Sequence, residues 1–111
     1  MIRPLAFAAI ACAAGGPAAA HKLVVFASSN CEAVLVEAKF STGSIAQQGD
    51  VRVLDGQNSL ITTLPLASDG TAKIALDALD HSEGLVIEVD TGSHDNYWIL
   101  TPEDLARNCG S

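Results

Sequence analysis

Two histidines and two carboxylates are the residues of this chain best suited to binding a metal ion. Imidazole nitrogen and carboxylate oxygen are both metal donors, and His21, His94, Asp90 and Asp95 supply them. If the chain is cleaved after Ala20, the α-amino and ring nitrogens of His21 can chelate one metal, an arrangement suited to Cu(II) or Ni(II). His94 and either Asp90 or Asp95 would complete the predicted site. The alternative is that His21 is an inert terminal residue and that His94 lies in a surface turn.

The first twenty residues have the organisation of a secretory signal peptide. A positive start, Met1–Arg3, precedes an almost uncharged apolar run, Pro4–Gly16, and Pro17–Ala20 supplies small residues for cleavage. The run is too short to cross about 30 Å of hydrocarbon, which disfavours a membrane anchor. A lipoprotein anchored through Cys12 is a further alternative. We predict a cleaved signal peptide over residues 1–20, a domain over residues 21–111 without a transmembrane segment, and a periplasmic or secreted location.

Two cysteines, Cys31 and Cys109, remain after this cleavage. An even pair in an exported protein is more often a disulfide than a metal site. A domain of about ninety residues buries only a modest core, so a covalent link would add useful stability. We therefore predict a Cys31–Cys109 disulfide.

The charge of the chain disfavours two classes of partner. Removal of Arg3 with the leader leaves 13 acidic groups against five basic ones, a formal charge of −8. Nucleic acids and anionic membrane surfaces attract clusters of lysine and arginine. The sequence contains no such cluster. The acidic residues are scattered, which is typical of a solvated surface. We predict no binding to nucleic acid.

Beyond Ala20 the apolar residues alternate with polar ones over short segments that end in turn residues, the pattern of an all-β protein. Seven such segments with regular turns predict an immunoglobulin-like or transthyretin-like sandwich. Thr101 and Pro102 then predict the start of a short helix, with threonine as the cap and proline at the first helical position. Tyr97 and Trp98 alternate faces, so one of the two is expected in the core. The predicted strands cover Leu23–Ala27, Ala33–Phe40, Val51–Val53, Leu60–Leu66, Thr71–Leu76, Leu85–Val89 and Asn96–Leu100.

The strand count also predicts which loops share an end of the sandwich. If each connection reverses the chain between two poles, the start of the first strand lies at the same pole as the segment Asp90–Asp95. Cys31 and the chain end with Cys109 then lie at the opposite pole, as does His81. His81, next to Asp80, is expected to be a solvated loop residue.

Motifs for catalysis are missing from the sequence. It contains no nucleophile-elbow serine, no H-E-x-x-H or C-x-x-C pair and no phosphate-binding glycine loop. The predicted disulfide removes the thiols as nucleophiles. Copper oxidases that act on polysaccharides also use a terminal histidine, but they usually need a larger domain. We predict that the protein is not an enzyme.

Six segments, spread over nearly the whole mature chain, carry a resemblance to a known family. They are Ala20–Ala27, Val34–Ser41, Gln48–Val53, Ser68–Thr71, Val86–His94 and Thr101–Leu105. In this order they resemble small periplasmic proteins that accompany nickel and cobalt uptake transporters of the energy-coupling-factor type. Sandwiches of the carboxypeptidase-regulatory type share much of the pattern. The His21-Lys22-Leu23 start and the later Gly-x-His at His94 are the more specific features.

The resemblance implies an accessory protein for Ni²⁺ or Co²⁺ uptake, with His21 as the first candidate ligand and His94 as the second. A membrane metal transporter is the implied partner. Two alternatives stay open from the residues. One is a sandwich that binds protein or carbohydrate without metal, and the other is a periplasmic Cu(II)-binding protein that uses the same chelate, since the lack of Met-rich segments disfavours only Cu(I).

Overall fold

The protein is an antiparallel β-sandwich followed by one short helix. A computed structural model describes residues 22–107 and residue 109; the predicted signal peptide and His21 lie outside this range. The strands are β1 (Leu23–Ser29), β2 (Ala33–Phe40), β3 (Asp50–Asp55), β4 (Leu60–Pro65), β5 (Thr71–Ala75), β6 (Leu85–Asp90) and β7 (Asp95–Leu100). A single 3₁₀ turn (Leu76–Ala78) follows β5, and the helix α1 covers Pro102–Ala106. The prediction of an all-β sandwich with seven strands is confirmed.

The seven strands form one sheet of three strands and one of four. Their order is β1-β2-β5 in the first sheet and β4-β3-β6-β7 in the second. In a constant-type immunoglobulin domain the fourth strand lies in the sheet of the first, second and fifth strands. Here β4 pairs with β3 instead, so both β4 and β5 are edge strands. Pro65 ends β4 at this edge, where its missing N–H breaks no ladder hydrogen bond.

Alternating side chains explain why β1 and β2 pair as they do. In β2, Val34, Val36 and Ala38 are buried, and the residues between them are exposed. The turn before β2 is held by Asn30, whose Oδ1 accepts hydrogen bonds from the N–H groups of Glu32 and Ala33 at 3.0 and 2.9 Å. The turn and the alternation together set the register of β1 against β2, because a one-residue slip would turn the buried apolar side chains of β2 to solvent.

The core lies between the two sheets and is almost entirely aliphatic. Its largest fully buried side chains are Leu76, Leu85, Ile87, Val34, Val36, Val51, Val53 and Val89. Leu105 of α1 joins the same cluster, so the helix closes one end of the sandwich.

The C-terminal helix begins as its sequence predicts. The Thr101 hydroxyl accepts the Asp104 N–H at 3.1 Å, and the Asp104 carboxylate accepts the Thr101 N–H at 3.0 Å, which is a capping box. Pro102 occupies the first turn. None of the helices within residues 22–107 has the length and apolar character needed to cross a membrane.

Candidate functional site

The start of β1 is held at one pole of the sandwich by both neighbouring strands. The Lys22 N–H donates to Ser41 Oγ at 3.1 Å, and the Ser41 N–H donates to the Lys22 carbonyl at 2.7 Å. On the other side, Asn96 Nδ2 donates to the Leu23 carbonyl at 2.9 Å. Because Asn96 follows directly after the β6–β7 connection, that connection and the start of β1 share a pole, as predicted. We call this end, with Lys22, Leu23, Phe40 and residues 90–95, the N-terminal pole.

The β6–β7 connection at this pole is a hydrogen-bonded turn. Asp90 Oδ1 accepts the Gly92 N–H at 2.8 Å. The His94 carbonyl accepts the Thr91 N–H at 2.9 Å and the Thr91 hydroxyl at 3.2 Å. These bonds fix the backbone on both sides of His94, so its ring starts from a defined position.

The His94 side chain is half-buried and held by two contacts. Its ring meets Phe40 edge to face, with centroids 5.4 Å apart and an interplanar angle of 74°. Ser93 Oγ lies 2.9 Å from His94 Nδ1. When a neutral ring carries its proton on Nδ1 and donates to Ser93, Nε2 is the nitrogen with a free lone pair. Ligating histidines are commonly oriented by such a bond on the other ring nitrogen.

The carboxylates at this pole lie in a row across three strands. Asp90 pairs with Asp95 at the end of the β6–β7 hairpin, and Asp50 of β3 pairs with Asp90 on its other side. All three are exposed. Among the residues that the structure describes, no group of three or more histidine, cysteine, aspartate or glutamate side chains could hold a metal ion. His94, Asp90 and Asp95 therefore share a pole without forming a three-donor site of their own.

Sequence reasoning missed two residues at this pole, Asp50 and Phe40. The end of the second strand falls at the N-terminal pole by strand parity, so Phe40 could have been found from the sequence. Asp50 needed the β3–β6 register, which links residues that lie 40 positions apart in the chain. His21, the first candidate ligand, lies outside the described residues, and the described chain begins with the next residue, Lys22.

The opposite pole carries the predicted disulfide. Cys31 and Cys109 are joined, with their Cα atoms 4.9 Å apart, so the predicted disulfide is confirmed. His81 lies in the β5–β6 connection at this end, and its Nδ1 is 3.1 Å from the Leu79 carbonyl. The Ser82 N–H and hydroxyl, with a smaller contribution from His81, hold the pKa of Asp80 below its ordinary value. His81 and His94 thus belong to different ends of the molecule, as predicted.

The expectation that either Tyr97 or Trp98 lies in the core is wrong. Tyr97 is 57% exposed and Trp98 is 37% exposed. Trp98 sits opposite the buried Ile87, but β7 is an edge strand, so its side chain covers the rim between the sheets and meets the Phe26 ring at 5.0 Å. A large ring at an edge strand shields the core without entering it.

Comparisons with protein-family models, with curated proteins and with solved structures found no match to this chain. The resemblance to nickel and cobalt uptake proteins therefore stays a prediction from the sequence.

Proposed function

We propose that the protein is an exported accessory protein for nickel or cobalt uptake, which presents a divalent cation at a mature N-terminal His21. The observation that carries the proposal is the anchoring of Lys22 and Leu23 beside the loop that holds His94. A chain that starts one residue before Lys22 would place two new nitrogen donors near this pole. The proposal includes no chemical step, and the metal ion is cargo.

The ligand set combines donors from both sides of the pole. His21 would contribute its α-amino and ring nitrogens, His94 its Nε2, and Asp90 or Asp95 one carboxylate oxygen. The described residues alone supply no three-donor group, so the proposal requires the chelate at His21. Three nitrogens and an oxygen suit Ni²⁺ and Cu²⁺, and the resemblance favours Ni²⁺ or Co²⁺ over Cu²⁺.

The location of the site at one end of the molecule would make transfer of the metal ion to a membrane transporter simple. A ligand set at a pole is reached from one direction without movement of either sheet. The disulfide and α1 close the opposite pole, so the partner would approach from the His94 side. This account also includes export to the periplasm, the compartment in which disulfides persist.

The test is calorimetric titration of the chain that begins at His21 with Ni²⁺, Co²⁺ and Cu²⁺. A control carries one extra alanine before His21, which moves the amine away from the ring. We expect the dissociation constant of this control to be at least about tenfold higher than that of the chain that begins at His21, equivalent to about 1.4 kcal/mol. His94→Ala should also weaken binding, and the matched variant His81→Ala at the disulfide pole should leave it unchanged.

The same titration tests the ligand chemistry through its pH dependence. Metal binding requires unprotonated nitrogens, so protons compete with the metal ion for the imidazole and α-amino groups as the pH falls. Affinity should therefore fall steadily from about pH 8 to about pH 5. A flat profile would exclude this ligand set. Equal binding by the alanine-extended control would move the site elsewhere, and no binding in either protein would favour the alternative of an interaction module without metal.

A further inference from the structure

The His94 ring at the N-terminal pole is held by side chains from both sheets. Phe40 is the last residue of β2 in the three-stranded sheet, whereas Ser93 and His94 lie in the connection that leads into β7 of the four-stranded sheet. Phe40 is partly buried and packs against the core. Its ring therefore offers a fixed surface to the His94 ring, which it meets edge to face with centroids 5.4 Å apart. This contact restricts the plane that the histidine ring can adopt.

Phe40 also links His94 to the start of β1. It lies directly opposite Leu23 in the β1–β2 ladder. Asn96, which follows His94 closely in the sequence, donates from Nδ2 to the Leu23 carbonyl at 2.9 Å. Both contacts join the loop of His94 to the strand that follows His21 in the sequence. The described side chains thus set the position of the His94 ring relative to the start of β1.

The contact with Ser93 bears on which ring nitrogen of His94 can bind a metal ion. Ser93 Oγ lies 2.9 Å from His94 Nδ1. A serine hydroxyl can donate to an unprotonated ring nitrogen or accept from a protonated one. When a metal ion takes the lone pair of Nε2, a neutral ring carries its proton on Nδ1, and Ser93 must then accept the hydrogen bond. The same arrangement in the metal-free protein would leave Nε2 ready as the donor.

We propose that Ser93 and Phe40 are positioning residues for His94. Phe40 fixes the plane of the ring, and Ser93 accepts the Nδ1 proton, so that Nε2 is selected as the donor before any metal ion binds. This inference rests on the proposed function, in which His94 is a ligand. Removing the hydrogen-bond partner on the second nitrogen of a ligating histidine typically lowers metal affinity about 10–100-fold. Ser93 should therefore affect binding without touching the metal ion.

His81 at the opposite pole provides an internal reference. Its Nδ1 lies 3.1 Å from the Leu79 carbonyl, which can only accept, so a neutral His81 ring that makes this bond carries its proton on Nδ1. The neighbouring Ser82 hydroxyl donates to Asp80 at 2.9 Å. Both His81 and His94 thus have a serine beside them in the sequence, but the ring of His81 is paired with a carbonyl instead. Ser82→Ala is therefore the matched control for a change at the serine beside His94.

The first test is nitrogen nuclear magnetic resonance of the histidine rings in the metal-free chain that begins at His21. In alkaline buffer with EDTA the rings are neutral, and the shifts of the two ring nitrogens show which one carries the proton. We expect the proton of His94 on Nδ1, as in His81. Ser93→Ala should move it to Nε2, the form that a neutral imidazole mostly adopts in water. Ser93→Thr keeps the hydroxyl and should restore the Nδ1 form, and Ser82→Ala should leave His94 unchanged.

The second test is calorimetric titration of the same proteins with Ni²⁺ and Co²⁺. Ser93→Ala should raise the dissociation constant at least about tenfold, Ser93→Thr should recover most of the loss, and Ser82→Ala should match the wild type. Phe40→Leu removes the ring contact but keeps an apolar side chain against the core, so it should also weaken binding, whereas Phe40→Tyr keeps the ring and should not. Ser93 is exposed, so its variants decide the test even if Phe40→Leu does not fold.

Three outcomes would overturn this inference and leave the proposed function standing. They are a wild-type His94 ring protonated on Nε2, a protonation site that Ser93→Ala does not change, and equal dissociation constants for the wild type and Ser93→Ala. A wild type that binds neither metal ion would instead overturn the proposed function, and this inference with it. An Nδ1 proton that Ser93→Ala displaces, together with weaker metal binding that Ser93→Thr restores, supports the inference.

Discussion

Replacing both cysteines of the Cys31–Cys109 pair with serine removes the only covalent link between the β1–β2 turn and the chain end after α1 in the described structure. The two residues are 78 positions apart, so the bond closes a loop that contains all of β2 to β7. Both cysteines are exposed, and the substitution itself therefore leaves no cavity in the core. The effect should come mainly from the greater freedom of the unfolded chain.

The magnitude follows from the length of the loop. In the chain-entropy account, a loop of this length contributes about 4.5 kcal/mol to the free energy of unfolding at 25 °C. For a domain of this size, each kcal/mol shifts the melting temperature by about 4–8 °C, which gives a loss of about 20–35 °C. Other contacts should keep α1 in place in the folded variant. Leu105 is buried in the core, and Ser29 Oγ donates to the Asp104 carbonyl at 3.3 Å.

Urea unfolding of the wild type and the double-serine variant measures this difference. Trp98 emission and far-ultraviolet circular dichroism should give superimposable transitions, which is the condition for two-state analysis. The reduced wild type should lose about as much stability as the double-serine variant. A loss below about 1 kcal/mol would refute the chain-entropy reasoning, because removal of a native disulfide from a small domain typically costs about 2–5 kcal/mol.

The backbone at Cys31 provides an internal control. Cys31 has φ +81°, a region that costs most side-chain-bearing residues about 1–2 kcal/mol. Combining Cys31→Gly with Cys109→Ser removes the same covalent bond and also relieves this backbone cost. The glycine variant should therefore be more stable than the double-serine variant by about 1 kcal/mol. Equal stabilities would show that the turn relaxes once the bond is gone.

Two further predictions concern a tight approach and a capped helix. Gly70→Ala should lose about 1–3 kcal/mol of stability in urea unfolding, because φ is +82° and an added Cβ would lie 2.8 Å from the Ala38 carbonyl oxygen; Gly43→Ala, with φ +98° and open space around it, should lose less. The hydrogen bonds from the Thr101 N–H and hydroxyl, with a smaller contribution from Arg107, hold the pKa of Asp104 below its ordinary value. The free energy that these contacts add to folding is complete above the ordinary carboxyl pKa and is lost as pH falls through the lower folded-state pKa. Asp104→Asn should therefore flatten the acid limb of the plot of stability against pH, and an unchanged limb would contradict the assignment.

Local sequence patterns were sufficient for the strands and for the helix start. The alternation Val34, Val36, Ala38 predicts the buried face of β2, and the observed strand has the predicted bounds, Ala33–Phe40. The capping box at Thr101 and Asp104 likewise depends on residues three positions apart. Periodicity and caps act over a few residues, which is why a single sequence reveals them.

Features that depend on distant pairing could not be predicted in the same way. Nothing local distinguishes a β4 that pairs with β3 from one that pairs with β5. The row of Asp50, Asp90 and Asp95 exists only because β3, β6 and β7 align these residues. The exposure of Trp98 has the same origin, since strand alternation gives the side of the sheet but not whether the strand is an edge. Strand parity was the exception, because it needs only the number of reversals.

The strand directions place the candidate ligands at one end of the sandwich. Side chains at the ends of strands gather at the poles, where Phe40 and the β6–β7 turn fix His94. Because the titration that tests the proposed function varies only the first residue and His94, with His81→Ala at the opposite pole as its control, its result bears on the N-terminal pole alone.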